Sequence, residues 1–204
     1  ASIPMNADGT FKQVRILDQK YAGKALLDKV DQLVREAYFK TGEPEELAFA
    51  CDYIWYLWCG PDSPLFDKSK MATFERLFIA DAETHKEEKG AYYTLRTQEE
   101  ICDKILDEFG VEGTHRHIIN GHVPVERVAG ESPVKCNGKL ILIDGGFSKT
   151  YRRKTGIAGY TLTYNSYGLT LSAHEPFDFS DFAVRDELDI ISKQEAVEYM
   201  DKRI

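Results

Sequence analysis

Gly113 marks a change in hydrophobic period, and no other feature of this sequence constrains its fold as strongly. Before it, apolar residues recur every three to four positions. Leu26, Leu27, Val30, Leu33, Val34, Ala37 and Tyr38 form one stripe, and Asp28, Asp31, Arg35 and Glu36 fill the opposite face. That spacing predicts an amphipathic helix, which Gly42 is placed to end. Glu43-Pro44-Glu45-Glu46 opens a second helix, because proline suits a first turn and carboxylates suit the positive end of the helix dipole. It runs through Phe49, Tyr53, Ile54 and Leu57 to the breaker cluster Gly60-Pro61-Asp62-Ser63-Pro64. The aromatic run Trp55, Tyr56 and Trp58 is read as helix packing. A short helix is expected over 73–78 and a solvated charged loop over 81–90. Thr97-Gln98-Glu99-Glu100 reads as a capping box. Ile101, Ile105, Leu106 and Phe109 follow it at helical spacing, up to Gly110.

After Gly113 the apolar runs are short and β-branched. Ile118-Ile119 and Leu140-Ile141-Leu142-Ile143, bounded by Gly, Asn and Asp, read as buried strands. Tyr160–Tyr164 and Leu169–Ala173 alternate with period two, with Asn165-Ser166-Tyr167-Gly168 between them, which predicts a hairpin with a four-residue loop. Ser192 and Glu195 form a second capping box, expected to open a terminal helix through Ala196, Tyr199 and Met200. The fold class expected is α/β with α+β character, mainly helical over 1–112 and β-rich over 113–204.

Charge excludes some functions. The chain carries 26 Lys+Arg against 34 Asp+Glu, a net charge of −8. Such an acidic chain suits neither sequence-independent nucleic-acid binding nor an anionic membrane surface. A small phosphorylated substrate needs only a few local cations. The most apolar run, Leu47 to Trp58, is interrupted by Asp52, so no membrane span is expected. The N-terminus lacks the basic and apolar regions of a secretory signal. Cys51, Cys59, Cys102 and Cys136 form no C-x-x-C pair and read as reduced thiols in a reducing compartment. The chain starts at Ala1 without an initiating Met, which processing and excision from a longer protein both explain.

Histidine is the natural base and metal ligand. His85 lies in the charged loop and reads as a surface residue; His174 reads as a capping or packing residue. His115-x-His117 has the same-face spacing of a strand, used by metal sites but also frequent by chance. His122 follows Ile118-Ile119-Asn120-Gly121, at the end of an expected buried strand, where ligands gather in layered α/β proteins. Asp144-Gly145-Gly146-Phe147 and Gly156-Ile157-Ala158-Gly159 are glycine-rich without a phosphate-loop spacing. Between them Lys149, Arg152, Arg153 and Lys154 cluster in an otherwise acidic protein. They read either as a solvated turn or as a phosphate clamp, since Arg binds phosphate through paired hydrogen bonds. No Ser/His/Asp arrangement is present.

Several motifs in order resemble a known family. Ile119-Asn-Gly-His-Val-Pro-Val125, Gly130-Glu-Ser-Pro-Val-Lys135, Leu142-Ile-Asp-Gly-Gly-Phe147, Thr155-Gly-Ile-Ala-Gly-Tyr-Thr-Leu162, Tyr164-Asn-Ser-Tyr-Gly168 and Ala173-His-Glu-Pro-Phe177 form one series. Upstream stand Ile3-Pro-Met-Asn-Ala-Asp-Gly9, Tyr56-Leu-Trp-Cys-Gly-Pro-Asp-Ser-Pro-Leu-Phe66 and Thr73-Phe-Glu-Arg76. Together they resemble the C-terminal half of the bacterial class III fructose-1,6-bisphosphatases, calcineurin-like metallophosphatases. The resemblance implies a two-sheet sandwich flanked by helices, and two manganese ions bridging a hydroxide that attacks phosphorus. It implies hydrolysis of the 1-phosphate of fructose 1,6-bisphosphate, a small sugar-bisphosphate substrate, in cytoplasmic gluconeogenesis. A homo-oligomer is left open. By resemblance His122 is the late Gly-His metal ligand.

The family's earlier Asp-x-His, Gly-Asp-x-x-Asp-Arg, Gly-Asn-His and His-Gly motifs do not occur in these 204 residues. The expectation is therefore a partial domain, inactive alone, with no catalytic residue assigned to this chain. Lys149, Arg152 and Arg153 are candidate substrate-phosphate contacts on charge and location, not on a motif. The alternatives are another metallophosphatase, such as a protein phosphatase, and a non-catalytic assembly or regulatory module.

Overall fold

A computed structural model of the chain describes residues 2–146, 153, 155, 156, 159–166 and 168–174, and the backbone of 194–199. The chain divides into two compact units, Ala1–Gly113 and Thr114–Ile204.

In the first unit, the motif at the N-terminus is a buried anchor followed by a tight turn. Ile3 and Met5 are buried, and the Ser2 amide and hydroxyl both donate to the Pro64 carbonyl. Asp8 accepts from the Thr10 amide and hydroxyl, and Gly9 takes the positive φ of 78° that the turn demands. A two-stranded antiparallel ribbon follows, β1 (Val14–Ile16) and β2 (Gln19–Tyr21). Next come α1 (Gly23–Phe39) and α2 (Pro44–Cys59). The predicted stripe of α1 buries Leu26, Leu33 and Ala37 against Ala50, Tyr53 and Leu57 of α2 and against Val14 and Ile16. A fully buried leucine such as Leu26 is worth about 2–5 kcal/mol on truncation to alanine.

Two helix ends differ from the sequence expectation. α1 stops at Phe39 because Lys40 takes the left-handed conformation, φ 53°, and Thr41 N–H donates to the Glu36 carbonyl. Lys40, not Gly42, is the terminating residue. The capping box at 97–100 does not form. Gln98 is the N-cap of α5, without a side-chain cap, and the Thr97 hydroxyl donates back to the Thr94 carbonyl. That local bond competes directly with capping.

Between α2 and α5 lie α3 (Thr73–Phe78) and α4 (Tyr92–Leu95). The charged segment 81–90 contains a 3₁₀ turn, Ala82–His85, and is tied down rather than merely solvated. His85 Nε2 lies 2.8 Å from the Ile79 carbonyl and 3.0 Å from that of Glu75, at the end of α3. Glu87 pairs with Lys68 at 2.7 Å and accepts the Ala72 amide at the start of α3. α5 (Glu99–Glu108) buries Ile101, Cys102, Ile105 and Leu106. Its last residue, Glu108, accepts the Lys24 amide, placing a carboxylate at the positive end of α1.

The second unit contains two three-stranded sheets. β3 (Ile118–Asn120), β4 (Val134–Lys135) and β5 (Leu140–Leu142) are ordered β3-β5-β4, with β3 and β5 parallel and β4 antiparallel. Leu140, Ile141 and Leu142 are all buried, as their uninterrupted apolar run predicts. β6 (Gly159–Asn165), β7 (Gly168–His174) and β8 (Gln194–Tyr199) form an antiparallel meander. Asn165 pairs with Gly168, so the hairpin connection is two residues rather than four.

The expected terminal helix is a strand. Residues 194–199 pair with β7, Gly168 opposite Tyr199 and Ser172 opposite Gln194, with a bulge between Leu169 and Thr170. The physical reason is the open edge of β7, whose unpaired amides and carbonyls outweigh a helix propensity of a few tenths of a kcal/mol per residue. Ser192, the expected N-cap, and Met200 lie outside the described residues.

Candidate functional site

Two parallel neighbours set the geometry. β3 is followed by Gly121-His122, and β5 by Ile143-Asp144-Gly145-Gly146. Asn120 is buried, and its carbonyl accepts the Ile143 amide at 2.9 Å, extending the parallel ladder by one bond. Beyond Asn120 the chain turns sharply. His122 takes φ 71°, a left-handed conformation that costs a non-glycine residue about 1–2 kcal/mol. The segment is then drawn back, because Val125 N–H donates to the Asp144 carbonyl at 2.8 Å. Val125 is fully buried, whereas His122 is exposed. The imidazole is therefore held at a carboxyl end of the sheet by backbone bonds on both sides.

The Asp144-Gly145-Gly146 turn is closed by its own side chain. Asp144 Oδ1 accepts the Gly146 amide at 2.8 Å, and Gly146 takes φ 72°. The turn also ties the two sheets of this unit together, through the Asp144–Gly159 bridge and Tyr160 N–H donating to the Ile143 carbonyl. Glycine is needed at 146 because the amide must fold back under the carboxylate in a left-handed backbone.

Past Val125 the chain lines a cavity of about 300 Å³ with Arg127, Glu131, Ser132, Tyr160, Leu171 and Ala173 among its walls. Glu131 is engaged there, pairing with Lys135 at 2.5 Å and accepting the Glu126 amide. Arg127 is a cavity-lining cation that no sequence motif marks. It stands alone between Glu126 and Val128, with no cluster to signal it.

The sequence candidates fare differently. His122 follows the end of β3 as expected, but that strand is not the buried one predicted: Ile119 is 54% exposed, because only one face of β3 is covered. Lys149 and Arg152 lie outside the described residues, and Arg153 is exposed. His117 Nδ1 lies 2.8 Å from the Gly138 carbonyl, so its ring fastens the entry to β3. His174 Nε2 lies 2.6 Å from Thr161 Oγ1, across the β6–β7 pair. Among the described residues no three His, Cys, Asp or Glu side chains converge as a metal site, and no disulfide joins the four cysteines. The described residues alone do not make a two-metal centre. Among the described residues no helix is long and apolar enough to cross a membrane.

A family model described as Firmicute fructose-1,6-bisphosphatase matches residues 1–204. The chain belongs to this family. A protein of Parabacteroides distasonis named fructose-1,6-bisphosphatase class 3 is 70% identical over 100% of this chain and 30% of its own length. A protein of the same name from Bacteroides fragilis is 60% identical over 100% of the chain and 31% of its own. One from Clostridium acetobutylicum is 58% identical over 93% of the chain and 29% of its own. The chain thus spans about 30% of the length of the curated relatives it matches. No solved structure matches it.

Proposed function

We propose that this chain is a segment of a class 3 fructose-1,6-bisphosphatase, which hydrolyses the 1-phosphate of fructose 1,6-bisphosphate to give fructose 6-phosphate. The observation that carries the reading is identity of 70% along the whole chain to a protein so named.

The finer architecture is proposed with it: part of a calcineurin-like sandwich whose dinuclear manganese site is completed by residues of the longer polypeptide. The Gly121-His122 turn supports this, since it holds an exposed imidazole at the carboxyl end of parallel strands. In that reading His122 would hold one manganese ion, and the metal pair, when bound, would supply an activated hydroxide. What this chain itself does is orient the imidazole and offer cations to the substrate. Lys149, Arg152 and Arg153 are the proposed phosphate contacts, and Arg127 joins them because it lines the cavity beyond Val125. The reaction is one of cytoplasmic carbohydrate metabolism.

The deciding experiment uses the full-length protein loaded with manganese, offered fructose 1,6-bisphosphate and, separately, a phosphoserine peptide. Preferential release of phosphate from the sugar is the expected result. Turnover of the peptide alone points to a protein phosphatase, and turnover of neither to a non-catalytic module.

A further inference from the structure

Helix α2 has two apolar faces, and only one is covered. Ala50, Tyr53 and Leu57 face the core shared with α1. Ile54, Trp55 and Trp58 are 42%, 61% and 41% exposed, at the i, i+1 and i+4 positions of a second stripe. α3 continues that stripe and has no buried residue at all. Its Phe74, Leu77 and Phe78 are 50%, 69% and 79% exposed.

The rings form one ridge. Trp55 and Trp58 meet edge to face at 5.0 Å, Trp58 and Phe74 at 5.6 Å, and Phe74 stacks on Phe78 at 6.3 Å. At these exposures the four rings leave on the order of 500 Å² of contiguous aromatic surface in water, at the upper end for a monomer.

The aromatic run expected to serve helix packing does so in part: Tyr56 stacks on Tyr53 against the core, and Trp58 meets Trp55 and Phe74, while Trp55 and Trp58 keep 61% and 41% of their surface exposed. α3 is not explained by its own contacts. A helix this short does not persist on propensity. Its ends are fastened, by Glu87 accepting the Ala72 amide and by Arg76 donating to the His85 carbonyl. Its apolar side chains are left for something else to cover.

We propose that the α2–α3 ridge is the docking face for another segment of the same, longer polypeptide. The inference rests on the reading of the chain as part of a class 3 enzyme. The Parabacteroides relative carries the matched region as 30% of its length, so 100 − 30 = 70% of that polypeptide lies outside it. A tethered segment faces the ridge at an effective concentration in the millimolar range. A second copy has to reach the same occupancy from solution. The occupant presents an apolar surface, because the exposed side chains that make the ridge, Trp55, Trp58, Phe74, Leu77 and Phe78, are all apolar.

The test is cysteine labelling in the full-length protein carrying Leu77→Cys, read by mass spectrometry of the peptide containing residue 77. Phe78→Cys is the second variant, in case the first perturbs α3. Both are expected to react with a maleimide at least ~100-fold more slowly in the native protein than in urea, at every protein concentration. Native labelling within about threefold of the urea rate overturns the proposal, since an exposed site needs no opening step. So does protection that disappears on dilution to monomer, which assigns the ridge to a second copy. A natural polypeptide of only 23.2 kDa overturns both this inference and the functional reading. Slow labelling in a protein without bisphosphatase activity fails the functional reading alone. Rapid labelling in an active bisphosphatase fails this one alone.

Discussion

At the scale of single residues, His122 and Asp67 illustrate opposite uses of an unfavourable position. His122 accepts a left-handed backbone at the end of β3 and stays exposed. A residue kept there for its backbone alone is better replaced by glycine, which takes φ 71° without strain. In the full-length enzyme, His122→Gly is therefore expected to fold as stably as the parent while losing ~100-fold or more in turnover, with manganese occupancy falling. Unchanged turnover in the glycine variant assigns His122 to the turn and not to the metal.

Asp67 is buried, 2% exposed, and among the described residues its Oδ2 has no hydrogen-bond partner. Gly90 closes over it so tightly that a Cβ at 90 would overlap the carboxylate. Burial, and then the charge of Asp62, push its carboxyl up to about 6, against the opposing pull of Lys12 and the Tyr92 amide. A carboxyl raised in the folded state binds its proton more tightly there than in the unfolded chain. Its contribution to stability is present in full below the ordinary value of 3.8 and is lost as pH rises through about 6. Asp67→Asn removes that loss. Thermal melts of the two full-length proteins should diverge between pH 4 and pH 6.5, with the asparagine variant gaining on the order of 1–3 kcal/mol and holding it above pH 7. Parallel melting curves across that range would mean that Asp67 is ionised at no cost.

At the scale of elements, local signals succeeded where side chains face their own neighbours. The α1 stripe Leu26, Leu33 and Ala37 and the apolar run of β5 were legible, because helical and extended periods bring those residues to one surface whatever surrounds them. The signals failed where a partner far away in sequence decided. Residues 194–199 are a strand because β7 has an open edge, and Thr97 bonds Thr94 instead of capping α5. The start of α1 shows the same dependence. No residue near Ala22 caps it, and the carboxylate arrives from Glu108, 84 positions away from Lys24. Glu108→Gln in the full-length protein keeps the acceptor oxygen and removes the charge at the dipole. It is expected to cost about 0.3–1 kcal/mol by urea denaturation, and Glu108→Ala more, about 0.5–2 kcal/mol. Equal stability of all three proteins would show that α1 does not use this carboxylate.

At the scale of the whole molecule, the chain belongs to the Firmicute fructose-1,6-bisphosphatase family and spans about 30% of its relatives' length. No three potential metal-ligating side chains converge among its described residues. Titration of the 204-residue chain alone with manganese should therefore show no stoichiometric pair of tight sites, and no hydrolysis of fructose 1,6-bisphosphate. Two tight equivalents per chain would mean that the ligands are here after all.

The sequence by itself determined the family, through motifs that run in order from Ile3 to Phe177, and the identity of His122 as the candidate ligand. It determined α1, α2, α3 and β5 too, because hydrophobic period is a property of adjacent residues. Only the tertiary structure decided that β8 is a strand, that His117 and His85 fasten backbone carbonyls, and that Arg127 lines the cavity beyond Val125. Only it separated Tyr53, buried and pushed up to about 12 by desolvation, from Trp55, exposed on the next face of the same helix. A helical period says which residues share a face. Which face meets protein and which meets water depends on what packs there, and that is settled by contacts between residues far apart in the chain.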